Sequence, residues 1–208
     1  MVNPPNHARL ALAEIASRKV LLESNISGPP VSAKYLLTRY AKVHWFADDQ
    51  EEGFCVEHAG YFHVFLNSTM APNRGNFKYG HELGHLVLNH LRINQNRMNP
   101  AAVVLIKSEA NHFSATLLMP DEWVQKYATG LSQTKENLKK LARQFNVPLE
   151  AMEKRLYELG IWENLQPPAK NPSPISGALL AYKGIAARRR QMRGDMHGAE
   201  KEETCSCP

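Results

Sequence analysis

His81-Glu82-Leu83-Gly84-His85-Leu86-Val87-Leu88 is the stretch on which the reading of this chain turns. It predicts a helix that begins near Asn76 or Phe77 and runs to about Leu91, with Leu86-Val87-Leu88 burying it beside a core. Positions i and i+4 of a helix lie on one face, one turn apart. His81 and His85 therefore aim the same way and can share one zinc ion. Glu82 lies next to that face, able to reach a water on the metal without being a ligand. Zinc lowers the pKa of such a water to about 7, so a carboxylate can take its proton at neutral pH and pass it to a leaving amine. The spacing points to peptide-bond hydrolysis with Glu82 as general base. In a chain of this composition a chance match is roughly a 3% event, so the motif needs support from elsewhere. The bland alternative is a helix whose two histidines are ordinary core or surface residues.

A catalytic zinc needs a third protein ligand and one open position. The pattern that supplies a third histidine after HExxHxxGxx fails here, because its glycine position is Leu88 and its histidine position is Leu91. His90 is one residue short of it. The following helix carries one acid, Glu109, within Lys107-Ser108-Glu109-Ala110-Asn111-His112-Phe113. His112 lies one turn from Glu109 and could be a ligand, an oxyanion donor or neither; a hydrogen-bonded structural role is the simpler expectation for it.

Outward from the motif, residues 8–22 read as an amphipathic helix, broken by Ser27-Gly28-Pro29-Pro30. A second helix is expected from Ser32, its N-cap, to about Ala41. The period then changes. Val43-His44-Trp45-Phe46, Phe54-Cys55-Val56 and Tyr61 to Asn67 predict a short antiparallel sheet. Tyr61 to Asn67 is either an edge strand at the rim of a cleft, which an extended substrate could join, or an interior strand. Ala71 to Gly75 reads as a loop. A helix from about Ala101 to Leu118 stops at Pro120, a further one starts at Asp121-Glu122, and 135–160 form two short helices around Asn146-Val147-Pro148. That last pair has a helix-turn-helix look, with Lys154 and Arg155 available to phosphates, but packing alone explains its apolar positions. The fold expected is α+β: a small antiparallel sheet on a helical zincin-like core over residues 1–165. Residues 166–208 are expected to be a basic, disordered tail with a local helix at Leu179 to Tyr182.

The chain has 208 residues and a formal charge of +5, with Arg188, Arg189, Arg190 and Arg193 clustered near its end. Charge of that kind raises direct nucleic-acid contact as a lesser expectation. Cys55, Cys205 and Cys207 are too few and too unevenly placed for a disulfide framework, which predicts a reducing, cytoplasmic setting. No apolar run approaches the roughly 20 residues that span a bilayer, and the first residues lack a secretory pattern. No membrane partner is expected.

Two blocks in order, His81 to His90 and then Glu109-Ala110-Asn111 leading into Leu117-Leu118-Met119-Pro120, resemble the ImmA/IrrE family of metallopeptidases. Leu141-Ala142-Arg143-Gln144-Phe145-Asn146-Val147, Arg155-Leu156 and Leu159-Gly160 extend the likeness over about residues 30–162. The resemblance implies a cytoplasmic zinc endopeptidase with a small sheet and a zinc-binding helix pair. It implies His81, His85 and Glu109 as metal ligands and Glu82 as the catalytic residue. Several members cleave a helix-turn-helix transcriptional repressor and so derepress phage, mobile-element or stress genes. Some carry their own helix-turn-helix domain; this chain has no room for one before residue 30, so a repressor substrate is expected to be a separate protein. There is one departure. In part of the family the zinc-binding Glu sits four residues before the Asn, where this chain has Lys107. Lys107 and Glu109 are about 200° apart on an ideal helix, so both cannot face one metal. Glu109 is the expected ligand; the alternative is a catalytically degenerate protein- or DNA-binding regulator.

Overall fold

The computed structural model describes residues 3–47, 53–93 and 98–162. The expected tail, 166–208, and the local helix at 179–182 lie outside the described residues. In chain order the elements are α1 (Leu10–Glu23), α2 (Ala33–Thr38), β1 (Lys42–Phe46), β2 (Gly53–His58), β3 (Tyr61–Asn67), α3 (Pro72–Val87), a 3-10 turn (His90–Arg92), α4 (Pro100–Leu118), α5 (Asp121–Ala128), α6 (Lys135–Phe145) and α7 (Leu149–Glu158). The α+β class is as expected.

The sheet order is β1-β3-β2. β2 and β3 form the antiparallel hairpin, turning through Ala59 and Gly60, both at positive φ. β1 pairs parallel to β3 instead, with Val43 opposite Val64 and Trp45 opposite Leu66. The sheet is therefore mixed rather than wholly antiparallel, because the chain leaves β1 for the far edge and comes back only with β3. This places β3 in the middle with both edges paired. The reading of Tyr61–Asn67 as an open edge for a substrate strand does not hold: its backbone groups are already used by β1 and β2.

Helix α3 starts earlier than expected. Pro72 stands at its first turn, where a missing N–H costs nothing and the fixed φ suits the helix. Residues 71–75 thus begin the helix rather than forming a loop. Asn76 then fixes how the helix is rolled. Its Oδ1 accepts from the Ala33 N–H at 3.0 Å, and its Nδ2 donates to the carbonyls of Val31 and Asn146 at 3.1 and 3.0 Å. One buried amide so ties α3 to the start of α2 and the end of α6. Helix α4 begins at an N-cap, Asn99, whose side chain accepts from the Ala102 N–H at 2.8 Å.

Helices α3 and α4 cross at very close range because α3 presents glycine there. A Cβ at Gly80 would lie 2.5 Å from Ser114 Oγ, and one at Gly84 3.1 Å from Phe113 Cδ1 and 3.2 Å from Ala110 Cα. The Ser114 hydroxyl uses this proximity to donate to the Phe77 carbonyl at 2.7 Å. On its other side α4 packs on α1, where Ser17 and Thr116 hydroxyls meet at 2.8 Å. The apolar core runs on from Leu83 and Phe113 through Leu117, Leu118 and Met119 to Phe145, Met152 and Leu156.

Candidate metal centre

The two motif histidines and Glu82 lie on α3, the one acid of the next helix on α4, and His90 just beyond the end of α3. Asn89 takes a left-handed conformation (φ 57°) and ends the helix, which turns His90 back toward it. This break sets the site's geometry.

His81 and His85 are brought together as the i, i+4 spacing requires. Their Nε2 atoms are 3.1 Å apart. Each ring's other nitrogen is engaged: His81 Nδ1 meets Asn111 Oδ1 at 2.7 Å, and His85 Nδ1 meets His90 Nδ1 at 2.9 Å. Burial first, and then the Lys78 charge, push His81 down to about 4, so its imidazole is neutral at physiological pH. The Lys107 charge adds to that effect. Glu82 is buried on the same helix, with one carboxylate oxygen 2.8 Å from Lys78 Nζ, a turn earlier.

Glu109 stands elsewhere. It is fully buried, and its carboxylate is engaged on both oxygens. Oε1 accepts from the Arg9 backbone N–H at 2.8 Å and from Arg9 Nε at 3.0 Å; Oε2 accepts from Arg9 Nη2 at 2.8 Å. His90 Nε2 lies 2.9 Å from Oε2. Burial raises the Glu109 pKa, but the hydrogen bonds from Arg9 and His90 outweigh it and bring the carboxyl to about 2. Among the described residues, no group of three His, Cys, Asp or Glu side chains converges as a metal cluster. His81 and His85 are paired; Glu109 reaches them only through His90. His112 sits on the α1 side of α4, 4.0 Å from Glu14, away from the pair.

Sequence reasoning missed Arg9 and the inward turn of His90. The first carried no signal, since it meets a residue 100 positions away. For the second, Asn89 was the available cue, because Asn tolerates the left-handed conformation that ends a helix. A surface cleft of about 390 Å³ opens between Pro72, Asn73, Lys139, Arg143 and Asn146. It lies at the start of α3, roughly 13 Å along the helix from His81, and is separate from the histidines.

The pair can be tested against a metal. Two nitrogens at about 2.0–2.1 Å from a tetrahedral zinc stand about 3.3 Å apart. The observed 3.1 Å fits two of the positions such an ion needs.

Among solved structures, a Mycobacterium tuberculosis transcriptional regulator superposes with a TM-score of 0.52 at 16% identity. The alignment covers 70% of this chain and 46% of that one, so this chain spans less than half the regulator's length. At that identity the likeness shows the fold. No curated protein matches the sequence significantly. The family model of the IrrE N-terminal-like domain, a peptidase family, matches residues 42–157. That match takes in β1 through α7 and more than half of the sequence, and the chain belongs to the family of IrrE N-terminal-like domains.

Proposed function

We propose that this chain is a zinc-dependent endopeptidase, with His81 and His85 on the metal and Glu82 as general base. The observation that carries the reading is the facing pair of Nε2 atoms, each on a ring whose other nitrogen is engaged. When Asn111 and His90 each accept an N–H, both Nε2 atoms are left as lone pairs pointing at one another. That arrangement is repulsive unless an electrophile lies between them. Zinc, when bound, polarises the scissile carbonyl and acidifies the attacking water. The chain's own contribution is Glu82. Lys78 holds one of its oxygens, and the carboxylate can take the water's proton and return it to the leaving amine. The substrate class rests on the family resemblance: a helix-turn-helix repressor. The structural neighbour, a transcriptional regulator, fits that setting. A cytoplasmic location is part of the proposal; it rests on the three cysteines being too few and too unevenly placed for a disulfide framework, with Cys55 a buried thiol.

A second reading has a specific observation behind it. Glu109 is engaged by Arg9 and His90, and the Lys107 charge acts on His81. A two-histidine site with cations around it holds metal weakly, which suits a regulator that keeps the fold without catalysis.

Metal content and cleavage separate the two. Under the enzyme reading, purified protein retains one zinc per chain after dialysis and cuts a helix-turn-helix repressor supplied to it. Glu82→Gln then keeps the zinc and loses roughly 10²–10⁴-fold in rate. Cleavage by that variant at near wild-type rate overturns the role of Glu82. Wild-type protein with neither zinc nor cleavage favours the regulator.

A further inference from the structure

We propose that Glu109 is a positioning residue that acts through His90 to fix the tautomer and orientation of His85, with Arg9 holding the carboxylate in place. The inference rests on the metal-centre reading for its purpose, but its geometry stands alone.

The argument follows protons along a chain of contacts. A carboxylate only accepts hydrogen bonds. Glu109 lies 2.9 Å from His90 Nε2, so that nitrogen must carry the hydrogen. In a neutral imidazole the other nitrogen is then an acceptor. His90 Nδ1 lies 2.9 Å from His85 Nδ1, so His85 must supply the hydrogen there. His85 Nε2 is left as a bare lone pair, aimed at His81 Nε2. One buried carboxylate thereby decides, two rings away, which nitrogen of His85 is open to a metal. Ligating histidines generally have their second N–H held by a carboxylate, carbonyl or water; here an extra imidazole is interposed. Asn111 plays the corresponding part for His81 directly.

Arg9 explains why Glu109 stays at this post. Three donors from one residue, the backbone N–H, Nε and Nη2, converge on its two oxygens. For Glu109 to swing to the metal, all three would have to break within a buried site. The carboxylate is thus assigned to the ring behind the ligand and not to the metal.

Two measurements test this on the full chain. In metal-free protein at mildly alkaline pH, where the rings are neutral, long-range proton–nitrogen NMR should find His90 as the Nε2–H tautomer and His85 as the Nδ1–H tautomer. In Glu109→Ala both should become mixtures. A wild-type His90 bearing its proton on Nδ1, or a His85 tautomer unchanged in Glu109→Ala, overturns the proposal. The second measurement is zinc affinity by chelator competition. Glu109→Ala should bind zinc about 10–100-fold more weakly, and Arg9→Ala should also bind more weakly. If Glu109 were a direct ligand, Arg9→Ala would free it and bind zinc more tightly, which also overturns the proposal. Should Glu109→Ala fail to fold, the wild-type tautomers and Arg9→Ala still decide. Wild-type protein that shows the stated tautomers yet binds no zinc sinks the peptidase reading and leaves the relay standing.

Discussion

Helices α3 and α4 on one side, and α6 and α7 on the other, are both packed helix pairs, but they bury different things. The seam of α6 and α7 is Leu138, Leu141, Ala142, Phe145, Met152 and Leu156. Its one buried polar side chain, Arg155, donates from Nε to the Met119 carbonyl at 3.0 Å and so joins the pair to the end of α4. The α3–α4 pair instead buries His81, Glu82, Glu109, Ser114 and Thr116. Each of these has a partner: Asn111, Lys78, Arg9 with His90, Phe77 and Ser17 respectively. Burying polar groups costs free energy that hydrogen bonds only offset. A pair that carries so many of them is built for something other than stability, whereas the α6–α7 pair is explained by packing. The same contrast bears on the helix-turn-helix look of α6 and α7. Arg155 cannot serve a phosphate while its guanidinium is buried on Met119.

Three substitutions can break or sharpen this contrast. The largest effect on stability should come from Met152→Ala, at a fully buried position of the apolar seam. It should lower unfolding free energy by about 2–5 kcal/mol in denaturant titration and leave zinc affinity of the folded protein unchanged. A parallel loss of zinc affinity would show that the two pairs are not independent. Gly84→Ala should cost less, about 1–3 kcal/mol by overpacking, because its new methyl meets Phe113 and the Ala110 backbone at 3.1–3.2 Å. Unlike the first change, it should weaken zinc binding, since it pushes α3 away from α4 between His81 and His85. Unaltered zinc binding here would mean that the close crossing serves packing alone. The smallest effect belongs to Lys154→Ala. Lys154 lies 3.6 Å from Glu158 on an exposed helix face, and such pairs contribute about 0.3–0.5 kcal/mol. Affinity for duplex DNA, measured by fluorescence anisotropy, should not change either. A loss of specific DNA binding would restore a nucleic-acid role for α6 and α7.

What could be read in advance follows the range of the interactions. The HExxH motif is local: spacing fixes that His81 and His85 share a face, and the structure pairs them. The extent of α4 was nearly as open: the expected span of about Ala101 to Leu118, stopped by Pro120, falls one residue short of its start at Pro100, behind the Asn99 cap. Pro72 carries a local signal too, a proline at the first turn of a helix, but the Pro-Asn-Gly composition of 71–75 reads equally as a loop. The parallel pairing of β1 was not legible, because strand direction depends on where the chain returns and not on alternation along the strand. The placement of Glu109 was hidden for a different reason. Helical phase says that Lys107 and Glu109 diverge, but not which of them meets the histidines. Arg9, far away in sequence, and the turn at Asn89 settle where the Glu109 carboxylate goes.

The Arg9 contact has a consequence for how this protein opens. Segments ahead of a domain's first helix ordinarily fray, and their amides exchange freely with solvent. Here the amide just before α1 is bonded to a buried carboxylate on α4. Peeling back residues 3–9 would strand that buried charge at a cost of about 3 kcal/mol, the lower end for breaking a buried pair, because solvent already reaches Arg9. The segment ahead of α1 and the histidine cluster should therefore behave as one cooperative exchange unit. Opening of this segment and loosening of the site should then be a single event, and in hydrogen-exchange measurements the Arg9 amide should exchange on the timescale of α4.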